Sequence, residues 1–227
     1  MRILALETST EYLSVALTSE QGVVARDCLA GQRHSELILP MVEAVLAEAG
    51  MALSEIQAIA FGAGPGSFTG LRIACGVAQG LAFGLGVPVI PIPTLEAVAE
   101  GVGKDRVMIA LDARMGEVYC GAFERSTGGW KTLMETCLCK PDQAPALAGT
   151  GWFAAGSGFA VHADVLTERY AGQIIGVDAE AIPHARAVAL LGKARYAKGL
   201  TVPPAEAAPL YIRNKVALTV DEQAALR

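Results

Sequence analysis

The sequence predicts an α/β fold built from two similar halves, and three observations carry that prediction. An apolar run ending on a carboxylate occurs twice, as Arg2-Ile3-Leu4-Ala5-Leu6-Glu7 and as Val107-Met108-Ile109-Ala110-Leu111-Asp112, offset by roughly a hundred residues. Each is followed by a polar turn and a second apolar run, Leu13 to Leu17 or Val118 to Phe123. Between them, the stretch Ala60-Phe61-Gly62-Ala63-Gly64-Pro65-Gly66-Ser67-Phe68-Thr69-Gly70-Leu71-Arg72 reads as strand, glycine-rich loop and helix.

The elements follow in order. Arg2–Leu6, Leu13–Leu17 and Val23–Leu29 are three consecutive strands, with a turn at Ser19–Gly22. Ser35 is a suitable cap for a helix running to Ala49, stopped by Gly50 and distorted early by Pro40. Its apolar stripe, with Leu37 and Met41 flanking Ile38, Val42 and Val45, is wider than one core contact requires. The helix is therefore either sandwiched within its own fold or shared with a partner. Ile56–Phe61 forms the next strand, and Ser67 or Thr69 caps the helix that runs to Gly84. Gly76, Gly80 and Gly84 share one face of it. Glycine costs about 1 kcal/mol relative to alanine inside a helix, so three together imply close approach of another helix, from this chain or a second one. Val87–Ile92 is a strand, and Thr94 caps a helix through Leu95–Ala99.

The second half adds strands at Val107–Asp112, Val118–Phe123 and Trp130–Cys137, then an apolar run at Trp152–Ala155. A helix near Val161–Arg169, a strand near Ile174–Val177 and a long helix over Pro183–Lys198 follow. The tail is Pro209-Leu210-Tyr211-Ile212-Arg213 and a polar, helix-prone end. This divides the chain into an N-terminal lobe over 1–102 and a C-terminal lobe over 103–227, with a tail able to return to the first lobe.

Composition excludes several functions. Half of the chain is hydrophobic (52%), only 18% is charged, and the net charge is −5 with no lysine or arginine cluster. Tight nucleic-acid binding by this chain alone is not expected. The uncharged run Ile73–Leu95 is long enough to span a membrane, but its glycines and prolines divide it into a buried helix and a buried strand. No basic segment followed by an apolar core opens the chain, so no signal peptide is expected. The five cysteines, Cys28, Cys75, Cys120, Cys137 and Cys139, lack disulfide-framework or zinc-finger spacing and fit reduced thiols in a cytoplasmic protein.

The loop itself matches no catalytic pattern. No Lys-Ser/Thr follows its last glycine, Gly-x-Gly-x-x-Gly is absent, and Ser67 lacks the flanking glycines of a nucleophile elbow. It is either a tight strand-to-helix turn or a surface that offers backbone N–H groups to an anion.

The two βββαβα-like halves resemble the actin, heat-shock-chaperone and sugar-kinase (ASKHA) ATPase superfamily. Within it, Ile3–Thr10, His34–Met41, Gly64-Pro65-Gly66-Ser67-Phe68-Thr69-Gly70-Leu71-Arg72, Asp112–Tyr119 and Pro209–Arg213 resemble the bacterial TsaB (YeaZ) family from end to end. That resemblance implies a role in making threonylcarbamoyladenosine in tRNAs reading codons that begin with A. It implies a non-catalytic partner of a TsaD-type paralogue, in an assembly completed by a TsaE-type ATPase. A homodimer is expected when the chain is alone, tRNA is met only within the complex, and no membrane is involved. In the family the two helices Ser35–Ala49 and Thr69–Gly84 form a four-helix interface, which here points to Leu37, Met41, Arg72, Ile73, Val77 and Gly80. One departure is visible: Glu7 stands where the family has Asp, moving the carboxylate by about 1.5 Å.

No catalytic residue is expected. The paralogue's metal-binding His-x-x-x-His pair falls on Thr94 and Val98 here, and His34, His162 and His184 are scattered, so neither a metal nor another cofactor is expected. A vestigial nucleotide site is expected at Thr8, Ser9, Asp112 and Gly156, with Arg114 bringing bulk where the superfamily needs a small residue. The alternatives are an ATP-dependent phosphotransferase using that same site and a glycoprotease-like peptidase, for which no Ser/His/Asp order or zinc motif exists.

Overall fold

The apolar run at the start of the chain becomes β1 (Ile3–Glu7), buried along its whole length at the centre of a five-stranded sheet. β2 (Tyr12–Thr18) and β3 (Val23–Leu29) extend it antiparallel on one side. β4 (Ala58–Gly64) and β5 (Val89–Pro93) extend it parallel on the other, giving the order β3-β2-β1-β4-β5. The second half repeats the plan with β6 (Arg106–Asp112) at the centre. β7 (Val118–Ser126) and β8 (Gly129–Cys139) are antiparallel on one side, and β9 (Trp152–Ala155) and β10 (Ile174–Asp178) parallel on the other. The same order and sense in both sheets make this the duplicated two-lobed ASKHA fold. The computed structural model describes residues 1–212. Arg213 and the polar end of the tail lie outside the described residues.

Two helices cover one face of the first sheet. α1 (His34–Glu48) supplies Ile38, Val42, Val45 and Leu46, and α2 (Phe68–Leu85) supplies Ala74, Cys75, Ala78 and Ala82, against Leu4, Leu6, Leu13 and Val15. α2 is the one described helix long and apolar enough to cross a membrane, but a third of it is buried in this packing and Gly86, left-handed at φ 67°, separates it from β5.

The opposite face of the first sheet is covered from the second half of the chain. α6 (Ala185–Ala197) packs Ala185, Val188, Ala189 and Leu191 on Ile3, Ala5, Ala58 and Ala60. A Cβ at its Gly192 would lie 2.8 Å from the Ala60 methyl, so only glycine permits this approach. Conversely, α3 (Thr94–Val102) packs Leu95, Val98 and Ala99 on Val107, Ile109 and Phe123 of the second sheet, whose far side carries α4 (Gly158–Val161) and α5 (Ala163–Arg169). The segment after α6 runs back along the first lobe: Val202 pairs with Val89, and the Leu210 N–H donates to the Ala63 carbonyl at 2.7 Å.

Several boundaries differ from the sequence reading. Ser35 does not cap α1. Arg33 occupies that position with no side-chain cap bond, its guanidinium instead pairing with Glu36, and the helix runs unbroken through Pro40. Thr94 is the first residue of α3 rather than its cap, and its hydroxyl is buried without a partner. Ile56 follows a 3-10 turn (Leu53–Glu55), so β4 starts at Ala58. The segment expected as one helix near Val161–Arg169 breaks at His162 into α4 and α5.

Trp130 braces the two lobes. It stands near the tip of the β7–β8 hairpin and packs against both the α6–first sheet cluster and the α3–second sheet cluster. Its indole N–H donates to Glu100 at 2.8 Å, the Arg125 guanidinium lies 4.3 Å from its ring centroid, and Lys198 at the end of α6 donates to the Gly128 carbonyl. Trp130→Ala is expected to cost about 3 kcal/mol, read as a lower urea midpoint with an unchanged slope.

Glu7 ends β1 with its side chain fully buried. Oε1 accepts a 2.6 Å hydrogen bond from the Ser9 N–H, Oε2 has no partner, and a Cβ at Gly62 would lie 1.9 Å from Oε2. The bare Cα of Gly62 thus makes room for the longer acid. Burial raises the Glu7 carboxyl above its ordinary value, outweighing the Ser9 hydrogen bonds that lower it. The folded state therefore binds a proton more readily than the unfolded chain, and this contribution is lost as pH rises above the unfolded carboxylate value of about 4.3. Glu7→Gln, which cannot ionise, is expected to flatten the decline of stability with pH. The variant should gain on the wild type as pH rises above about 4.3 in paired denaturation curves, and a parallel pair of profiles would refute a buried proton here. Gly62→Ala should cost about 2 kcal/mol or more in the same assay, because the methyl and the carboxyl claim one space.

Candidate partner interface and inter-lobe cleft

Where α1 and α2 lie side by side, their inner rows are consumed by the core and their outer rows are not. Leu37 and Met41 on α1, and Ile73 and Val77 on α2, are half-buried, touching the core from its rim. Gly76, Gly80 and Gly84 form a row on the outer side of α2, and a Cβ built on any of them meets nothing within 4 Å. The helix α1 of the same chain therefore does not fill the glycine stripe, which is open surface. Phe83 stands beside it, 82% exposed. The sequence reading passed over Phe83, although its place three residues after Gly80 sets it on the glycine face.

Arg72 is exposed at the beginning of this surface and is held by rings. Its guanidinium carbon lies 3.3 Å from the Phe68 ring centroid and 5.4 Å from that of Tyr211, and the two rings are 6.1 Å apart. Phe68 and Tyr211 were likewise not singled out from the sequence. Tyr211 is separated from Phe68 by most of the chain, so only the fold reveals the stack.

A cleft of about 1050 Å³ separates the lobes, lined by the Pro65–Gly70 loop, Ser9, Asp112, Arg114, Tyr119, Ser157 and Tyr211. Of the four nucleotide-site candidates, Ser9 and Asp112 line it. Thr8 and Gly156 do not. The Thr8 hydroxyl donates to the Gly70 carbonyl at 2.7 Å, and the Ser67 N–H donates to the Ser9 carbonyl at 2.8 Å. A Cβ at Gly70 would lie 1.8 Å from the Thr8 carbonyl oxygen, and one at Gly66 would lie 2.6 Å from the Ser9 Cβ. The glycine loop therefore lies directly on the β1–β2 turn. Gly156, at φ +105°, is pressed against Ala110, where a Cβ would come within 2.6 Å of the carbonyl oxygen.

The second turn is closed in a different way. Asp112 is mostly buried: Oδ1 accepts from the Arg114 N–H at 3.1 Å and Oδ2 lies 3.3 Å from the Arg114 guanidinium, while the Asp112 N–H donates to Ser157 Oγ at 3.1 Å. Arg114 and Met115 adopt left-handed backbone angles, φ 62° and 57°, unusual for side chains of their size. The histidines do not converge. His34 sits 3.1 Å from the Tyr12 carbonyl, His184 pairs with Asp27 at 2.9 Å, and His162 lies 3.9 Å from Asp112. Among the described residues no three His, Cys, Asp or Glu side chains come together in a metal-binding group.

Comparison with known proteins agrees with the repeated topology and the loop. The family model described as TsaD, tRNA N6-adenosine threonylcarbamoyltransferase, matches residues 7–219. The tRNA threonylcarbamoyladenosine biosynthesis protein TsaB of Escherichia coli K12 is 39% identical over 226 residues, covering 96% of each chain. That of Haemophilus influenzae is 38% identical over 229 residues, covering 95% of each. The solved structure of YeaZ from Pseudomonas aeruginosa superposes with a TM-score of 0.85 at 38% identity, covering 92% of this chain and 99% of that one. With identity spread over nearly the whole length and the same backbone fold, the chain belongs to the TsaB (YeaZ) family of tRNA threonylcarbamoyladenosine biosynthesis proteins.

Proposed function

We propose that this chain is a non-catalytic subunit that binds a TsaD-type catalytic paralogue through the α1–α2 face, and so supports threonylcarbamoyladenosine formation in cytoplasmic tRNAs reading codons that begin with A. The observation that carries this reading is the open glycine row of α2 between half-buried apolar rows and the exposed Phe83. A second helix pair set on that row approaches at backbone distance, which gives a tight and shape-specific contact. Leu37, Met41, Arg72, Ile73, Val77 and Gly80 form the contact, with Phe83 at its edge. A second copy of the chain uses the same surface when the partner is absent, so homodimer and heterodimer compete. A TsaE-type ATPase joins the assembled pair, and tRNA is met there.

The cleft supports the same reading. The turns at Thr8–Ser9 and Asp112–Met115, which would cradle phosphates in an ATPase of this superfamily, are occupied by the chain's own backbone and by Arg114. Catalysis of group transfer is thereby assigned to the paralogue.

The decisive experiment mixes the chain with a TsaD-type protein, measures complex mass by light scattering, and assays tRNA threonylcarbamoylation with and without the chain. A heterodimer whose activity requires the chain is expected. No complex, together with ATP turnover by the chain alone, would replace this reading with a phosphotransferase. Gly80→Leu should raise the stability of the isolated fold by up to about 1 kcal/mol, because the side chain projects into open space and leucine favours the helix, yet weaken both homodimer and heterodimer by about tenfold or more. Unchanged association in that variant would remove α2 from the interface.

A further inference from the structure

The second sheet ends on β10, which pairs with β9 on one side, and among the described residues no strand pairs with its other edge. Ile175 on this strand is 74% exposed and Val177 48%. An apolar edge left open in this way is a template for pairing with another chain, and proteins ordinarily cover or charge such edges. The tail reaches the same side of the molecule. Leu210 is held by the first lobe through the Ala63 carbonyl, Tyr211 lies by Arg72, and Ile212 packs against the cluster around Leu111 and Ala155 in the second lobe. Ala181, three residues after β10 ends, packs against that same cluster, and Ile182 and Ile212 both line the cleft. Ile212 thus lies on the side of the cleft where β10 finishes.

We propose that residues 216–220 add to the open edge of β10 as a sixth, antiparallel strand of the second sheet. Residues 213–227 can span about 50 Å when extended, so this edge is within reach of Ile212. Starting from the end at which β10 finishes, the segment runs back along the strand, and antiparallel neighbours need only a short connection. Its sequence suits the position. In Lys215-Val216-Ala217-Leu218-Thr219-Val220, Val216, Thr219 and Val220 are β-branched, a type that strands accept more readily than helices, and neither glycine nor proline interrupts the run. At the strand period Val216, Leu218 and Val220 share one face, bringing apolar side chains beside Ile175 and Val177. Charge matches as well: Arg213 and Lys215 lead into the run, and Asp178 and Glu180 are exposed where β10 ends. Main-chain hydrogen bonds along the edge supply the affinity, and the alternating side chains set the register. Pairing there fixes the tail on both sides of the cleft, so that residues 210–212 strap one lobe to the other.

The test is amide hydrogen exchange, followed by mass spectrometry, on the full chain and on a variant that stops at Ile212. In the full chain the amides of residues 216–220 are expected to exchange at least about tenfold more slowly than in a free peptide of the same sequence. On truncation, peptides covering residues 173–180 should exchange faster by a similar factor, while those from β1 stay unchanged. Leu218→Pro, which removes a strand donor, should reproduce the truncation, and Leu218→Val should keep the protection. Residues 216–220 exchanging at the free-peptide rate in the unaltered chain would overturn the proposal, whether or not any variant folds. So would a β10 that exchanges alike with and without the tail. Protection of β10 that rises with protein concentration would assign the edge to a second copy instead, and tail-dependent protection of α1 and α2 rather than β10 would place the tail on the other lobe; either result overturns it too.

Discussion

The contact on which the rest of the molecule depends is the one between the glycine loop and the β1–β2 turn. Gly66 and Gly70 bring backbone against backbone at Thr8 and Ser9, closer than any side chain would allow. The Thr8 hydroxyl and the Ser67 N–H then tie the two segments together. Because Ser67 also caps α2, this contact sets where that helix begins, and hence which of its faces meets the sheet and which meets solvent. In the same step it covers the first turn of the cleft. The geometry that presents α2 outward is also the geometry that packs the loop on the β1–β2 turn, so the exposed face of α2 and the covered turn have one origin.

A second constraint fixes the lobes. Each half lends a helix to the other's sheet, α3 to the second and α6 to the first, and Trp130 touches both of the resulting clusters. The tail then ties α2 in place, since Gln79 donates to the Ala207 carbonyl at 3.0 Å and Tyr211 stacks near Arg72. The α1–α2 face is thus supported by the start, the middle and the end of the chain. Rigid support favours association because little conformational freedom is left to lose when a partner binds.

Much of this was legible from residue order. The repeat of an apolar strand ending on Glu7 or Asp112 predicted the duplicated sheets, because strand periodicity and turn chemistry are local properties. The glycines four apart in α2 were readable as sharing one face, for the helix has a fixed period. Capping was less legible. Ser35 and Thr94 are good caps by composition, but the chain enters α1 through Arg33 and α3 through Pro93, because tertiary packing decides where each helix can begin. The Arg72–Phe68–Tyr211 stack, the Trp130 brace and the Glu7–Gly62 fit were invisible in sequence, since each joins residues that only the fold brings together.

The Glu7–Gly62 pair shows how the sheet accommodates a glutamate at the end of β1. A longer acid at the end of β1 would be expected to reach further into the cleft. Instead the carboxyl turns inward, one oxygen held by the Ser9 N–H and the other resting against the bare Cα of Gly62. A buried carboxyl in that position favours its neutral form and offers little to a cation or to an attacking water. In the first lobe the acid that ends β1 is therefore part of the core.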